Sequence, residues 1–576
     1  MTVDLSTVHT KDSLLDTMEL AFNCYTRHQI EHRVCQDGKT RLDLQSYSRI
    51  LTVLGCLISA GRLQDLQPLW EHMMTESCRE LSTLKQDPIA DFSIKEIMLA
   101  LHFMGPRYTE DAKSQWLSLL SEIDPYTHYK FVIRDEESKR HLHNINIYNM
   151  AGEFLREKAG VTDTQAYFHE HWPTQLVRFD ENGMYRDPGN PLLYDLTTRV
   201  QIQLLLGLGY QGEFASALDE QLRKSGLWTL QLQSAAFEHP FGGRSNQFLF
   251  NEVLIAANAE YEAVRYARLG DLEQAGAFKR SARLAIASIQ RWLIQTPARH
   301  IKNLYPIDSQ YGTESYGFYD KYMITMGAFL SIAYLFMDDT IAEAPCPAEV
   351  GGYVVATSPS FHKVIANAAG YSVQIDTCAD SHYDATGLGR IHRSGVPTEL
   401  GLSVPFSAGD SFELREGIHR SCIAIGPGWK REDGSIQYLS EYGDESIQGE
   451  LSITRETPES VQFTVTYSGN LHDVQKVIEH YLVNAEGVAL TFELVGAISD
   501  ELFLRVPLLH TNGKDITSIT STEHSVEVAL DGHTYTIDYD GELDIKPDLY
   551  GNRNGEYQLA VIRADASRAV LQLRLR

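Results

Sequence analysis

The chain is short of positive charge: 50 Lys and Arg stand against 77 Asp and Glu over 576 residues, a formal net charge of −27. Nucleic acid and anionic membrane surfaces require basic patches, so neither is expected as a partner. An acidic ligand needs a local concentration of Arg and Lys. Cysteine is sparse and odd in number. The seven (Cys24, Cys35, Cys56, Cys78, Cys346, Cys378 and Cys422) include no Cys-x-x-Cys pair, the pattern of reduced structural thiols in a cytoplasmic protein rather than of a disulfide framework or zinc site. No His-Glu-x-x-His or Asp-x-Asp-x-Asp loop appears, so no catalytic metal or cofactor is expected. Met1 to Asp12 is polar, and no signal peptide is read there. Long apolar runs are missing too: the longest, Met323 to Met337, contains Thr325 and Ser331 and suits a buried helix, not a membrane span.

What is plentiful is tyrosine, 29 residues, each offering a sugar an apolar face and a polar tip. The length exceeds what one core supports, so at least two domains are expected. Through residue 340, apolar residues recur at helical spacing, as in Leu14, Leu15, Met18, Ala21, Phe22 and Tyr25, or Phe250, Val253, Leu254, Ala257, Tyr261 and Val264. Beyond a Pro- and Gly-containing linker the period becomes two. Val461, Phe463, Val465 and Tyr467 alternate with Gln462, Thr464, Thr466 and Ser468. The pattern predicts helices over 1–340, a linker over 341–352 and antiparallel strands over 353–576.

Five segments carry residues suited to chemistry. In Arg140 to Asn146, Asn144 or Asn146 is placed as the N-cap of the following helix, while His143 and Asn144 can bind hydroxyls or neutralise a carboxylate. In Tyr185 to Asp195, a turn at Asp187-Pro188-Gly189-Asn190 presents Arg186, Asp187 and Asp195. Glu238 to Gln247 is the most specific segment. Gly242 and Gly243 let backbone approach a ligand, Arg244, Asn246 and Gln247 are donors near a helix start, and Glu238 and His239 are candidates for proton transfer. Tyr311 to Tyr322 supplies Glu314, Tyr316 and Tyr319, and a phenol beside a cation can move a proton. Finally, Asp384 to Arg393 places Arg390 and His392 on a loop expected to close a positive site.

Taken together, His143-Asn144-Ile145, the Tyr-Arg-Asp turn, Gly-Gly-Arg-Ser-Asn-Gln, Tyr-Gly-x-Glu-x-Tyr and Gly-Leu-Gly-Arg-Ile-His resemble the heparinase II/III-like carbohydrate-active enzymes, and among them most the β-glucuronidases of glycoside hydrolase family 154. The resemblance implies an (α/α) toroid, incomplete or of six hairpins, followed by an antiparallel β-sandwich, with the cleft between them and a uronic-acid oligosaccharide or small glucuronide as substrate. It implies a glycoside hydrolase removing glucuronate, with β-elimination by a lyase as the alternative and a noncatalytic glycan-binding protein as a third reading. Hydrolysis requires two carboxylates flanking the bond. The candidates are Asp187, Asp195, Glu238, Glu252, Glu314 and Asp320, and no spacing selects a pair. Related lyases neutralise the uronate with an Asn doublet or Asn-His doublet; here the doublet is His143-Asn144 and no Trp follows. The large apolar helices and many Tyr are compatible with a homo-oligomer.

Overall fold

The computed structural model describes residues 9–443, 446–499 and 501–576. Six helices form a closed inner ring: Leu44–Ser59, Pro88–Met104, Asn144–Lys158, Leu192–Gly207, Phe250–Leu269 and Tyr319–Phe336. Each packs on the next, and the last returns onto the first. Burial separates this ring from the helices outside it. Leu44–Ser59 buries every residue from Leu44 to Ile58, whereas the outer Gln67–Thr83 helix buries one stripe of Leu69, Trp70, Met73, Met74, Ser77, Cys78 and Leu81. A one-sided apolar helix faces inward, and an apolar helix without a polar face is enclosed. The inner ring of the toroid is thus complete, with six helices. Each fully buried Leu or Phe contributes about 1.5–3 kcal/mol.

The C-terminal part is an antiparallel β-sandwich of three sheets with four, eight and six strands. Strand Ser460–Gly469 buries Val461, Phe463, Val465 and Tyr467 and turns its polar residues outward. The four-stranded sheet differs, because both of its faces are covered. Val364, Ala366, Val373, Ile375 and Leu388 join the sandwich core. The alternating polar residues face the toroid: Ser372 accepts from the Ala235 amide at 2.5 Å, and Gln374 both accepts from and donates to Phe241 at 3.0 and 2.6 Å. The segment expected as a loop bearing Arg390 and His392 is a strand of this sheet, Gly387–Arg393, because its sheet partners Tyr371–Asp376 supply an edge for it. The expected linker contains a short helix, Pro347–Val350. No described helix is long and apolar enough to cross a membrane.

Candidate active site

All six inner helices begin at the same end of the ring, and there lies a cavity of about 360 Å³. Its wall is built mainly from their first two turns: Gln45 and Arg49, Phe92, Asn144 and Tyr148, Tyr194 and Thr197, Phe250, and Lys321, Tyr322 and Thr325, with Phe329 one turn further in. Six helix N-termini converge on it, and their partial positive charges favour an anion. Among the described residues three cations line the wall and no carboxylate does: Arg49, Arg244 and Lys321 are each anchored from behind, by Glu96, Asp187 and Asp43 respectively. Half-buried His143 and Arg244 and the 39% exposed Tyr316 mark the mouth, while Arg49, Phe250, Thr325 and Phe329 are buried at the floor.

The loop that delivers Arg244 depends on its glycines. Gly243 has φ +74°, and a Cβ there would stand 2.7 Å from Pro191 Cβ. Arg244 leaves this turn, pairs with Asp187, donates to the Pro188 carbonyl at 2.5 Å and lies 4.6 Å over the Tyr194 ring. Ser245, also at positive φ, puts its hydroxyl 3.2 Å from both the Tyr194 and Tyr316 phenols and 3.5 Å from that of Tyr322. Burial raises the Tyr194 phenol against the pull of the Arg244 guanidinium, and burial also raises Tyr316, so both are proton donors in the free protein.

The N-cap of the Asn144–Lys158 helix is His143, not Asn144 or Asn146, because the chain turns helical one residue earlier than the Asn preference implies. Asn146 instead donates to the Phe131 carbonyl at 2.9 Å. Asp187 Oδ1 accepts from the Asn144 amide at 3.1 Å and lies 3.8 Å from His143 Nδ1. Burial lowers the His143 pKa, more than Asp187 raises it, which leaves the imidazole neutral near pH 7. Among the described residues the buried Asn144 Nδ2 has no hydrogen-bond partner.

The sandwich holds this loop from behind. Asp384 accepts from the Gly243 amide at 2.7 Å; Glu314 accepts from the Ser245 amide at 2.5 Å and is paired at 2.6 Å with Arg553. Asp384 is pushed up to about 6, chiefly by burial.

Of the residues expected from sequence, His143, Asn144, Arg244 and Tyr316 line the cavity, with Asp187 and Glu314 directly behind it. Glu238, His239, Arg390 and His392 come together elsewhere, in the buried seam between the domains. Glu238 Oε2 accepts from Lys302 at 2.9 Å and Oε1 from Thr398 at 3.0 Å; Arg390 donates to the His239 carbonyl at 2.7 Å; His392 lies 3.0 Å from both Ser234 and Ser403. Burial drives His239 down to about 3 and Arg390 to about 10. Asn246 donates to Gly243, and Gln247 accepts from Asn554. Asp195 receives Arg199 at 2.7 Å, Arg186 donates to the Val177 carbonyl, and Tyr319 packs on His300. Sequence reasoning assigned no role to Tyr194, Arg49, Tyr148, Ser245, Lys321, Asp384 or Arg553. The signal it had was positional: Tyr194, like Asn144, stands in the first turn of an apolar helix.

No protein-family model matches the chain, and no curated protein matches it. Among solved structures it is similar to heparinase III, with TM-score 0.52 and 10% identity over 100% of this chain and 86% of that one. It is also similar to the Streptomyces coelicolor A3 chondroitin AC lyase in complex with chondroitin sulphate, with TM-score 0.48 and 10% identity over 100% of this chain and 80% of that one. At such identities the likeness is one of fold.

Proposed function

We propose that this protein is a glycan-degrading enzyme that cleaves a uronic-acid-containing glycan by β-elimination. The observation that carries this reading is the cavity wall, which among the described residues combines four tyrosines, three cations and an unpartnered amide with no carboxylate. Asn144 and Arg244 receive the uronate carboxylate and neutralise it, which acidifies the C5 proton. His143, neutral near pH 7, takes that proton. The C5–H electron pair forms the C4–C5 double bond as the C4–O bond breaks, and a protonated phenol, Tyr316 or Tyr194, protonates the leaving oxygen. Names of the similar structures, a heparinase and a chondroitin lyase, agree with such a substrate.

Hydrolysis by a family-154-like glucuronidase is the second reading. It is favoured by Asp187 and Glu314, two of the expected carboxylates that stand behind the cavity, but both are buried and engaged by arginines, whereas a glycosidase needs its acid pair against the bond. The test is to incubate the protein with a uronate oligosaccharide and a glucuronide. An ultraviolet-absorbing unsaturated product is expected; free saturated glucuronic acid would overturn elimination, and binding without turnover would leave a glycan-binding protein. Tyr194→Phe and Tyr316→Phe should lower kcat by about 10²–10⁴ between them with smaller effects on KM. The acid limb of kcat/KM should fall below the ordinary imidazole range, because His143 protonates only there.

A further inference from the structure

Beneath the cavity floor two cations share one carboxylate. Lys95 Nζ lies 2.5 Å from Glu96 Oε1, and Arg49 Nε lies 3.8 Å from that same oxygen. Lys95, Arg49 and Glu96 are 0, 4 and 2% exposed. Among the described residues no other carboxylate lies within ion-pair distance of either cation. Burial lowers the Lys95 pKa against the pull of Glu96. With Lys95 protonated the trio carries one positive charge more than it neutralises, and Arg49, at 3.8 Å, is the weakly paired member, in surroundings where an uncompensated charge is costly. Aromatic rings face it: Phe92 stands 5.8 Å from Arg49, and Tyr148 and Phe329 stand 5.5 and 5.9 Å from Lys95. These three rings are cavity walls, and Arg49 itself lines the cavity beside Thr325, to which it donates at 2.8 Å. The excess charge thus has one open side, and that side is the cavity.

We infer that Arg49, backed by Lys95, is a second anion-binding position, which holds an anionic substituent on the sugar next to the reacting uronate. This inference rests on the cavity being the substrate site and adds that the preferred substrate is doubly acidic. Arg244 and Asn144 serve the acid at the mouth; Arg49 serves the one at the floor, with Phe92 and Phe329 as apolar walls for the ring between. A carboxylate or a sulfate satisfies the same chemistry.

The experiment compares three substrates with the same reacting uronate, flanked by a second uronate, by a sulfated hexose, or by a neutral hexose. Wild-type protein is expected to show a KM at least tenfold lower for one or both acidic neighbours than for the neutral one, and which of them it is identifies the anion. Arg49→Gln is expected to erase that difference, and Arg49→Lys to restore part of it. Because R49Q leaves Lys95 and Glu96 as a balanced pair, its thermal midpoint without ligand should not fall, while the rise in midpoint on adding inorganic sulfate should be smaller than in wild type at matched ionic strength. Equal KM values in wild-type protein would overturn the inference without any variant, as would an R49Q that keeps the preference. If Arg244→Gln and Tyr316→Phe leave turnover of all three substrates intact, the cavity reading itself falls; if they abolish turnover while wild type does not discriminate, only the floor site falls.

Discussion

Removing Arg553 tests how the two domains jointly hold the site. Arg553 belongs to the sandwich and is 2% exposed. It pairs with Glu314 at 2.6 Å, donates to the Gly312 carbonyl at 2.9 Å and lies 4.6 Å from the Phe412 ring. Arg553→Met leaves Glu314, 3% exposed, as a buried carboxylate without its counter-ion. Breaking a buried pair in this way costs about 3–5 kcal/mol, most of it the penalty on the abandoned charge. With an unfolding entropy of about 2 cal/mol/K per residue, a loss of about 4 kcal/mol lowers the midpoint by about 9 °C if the sandwich, roughly 220 residues, unfolds alone, and by about 3 °C if the whole chain unfolds together. Differential scanning calorimetry separates the two cases. The sharper test is the cycle with Glu314→Gln, which removes the charge but keeps an oxygen for the Ser245 amide. The E314Q/R553M double variant should be more stable than R553M alone, and it should recover part of the kcat lost when Ser245 shifts from Tyr194 and Tyr316. A double variant as unstable as the sum of the singles would refute the reasoning, since the two side chains would then act independently.

Gly243→Ala should lower kcat/KM by tenfold or more, measured on the same uronate substrate, because a Cβ at φ +74° meets Pro191 at 2.7 Å and the turn carrying Arg244 must move. Glu479 tests a pH dependence away from the site. Buried in the sandwich and receiving Tyr481 at 2.7 Å, it is raised to about 7, chiefly by burial. A carboxyl raised on folding contributes stability that is fully present below its unfolded pKa and is lost as pH rises through the folded value. Its share should therefore decline between about pH 4.5 and 7, by about 3 kcal/mol. Glu479→Gln should flatten the fall in thermal midpoint over that range, and an unchanged slope would remove Glu479 as its cause.

Much of the fold was legible because periodicity is local. The 3.6-residue stripes and the alternation at Val461 to Tyr467 are properties of neighbouring residues, and the structure places helices and strands accordingly. Closure of the ring was not legible, since it depends on Tyr319–Phe336 packing against Leu44–Ser59, across some 270 residues. Within the site, the chemistry-bearing segments were recognised as clusters of polar residues and glycines, but their depth was not. Arg390 and His392 look like a positive loop in sequence; as alternate residues of a strand facing the toroid they are consumed by Ser234, Ser403 and His239. Tyr194 looks like core, yet its position in the first turn of an inner helix points it at the cavity.

The sequence by itself determined the order of helical and β parts, the net negative charge, and the Gly-Gly-Arg-Ser turn, all consequences of short-range spacing and composition. Only the tertiary structure decided which charges remain available. A side chain becomes a candidate for chemistry through what its neighbours leave unsatisfied, and those neighbours come from distant segments: Asp187 and Arg244, Arg553 and Glu314, Lys95 and Arg49 around Glu96.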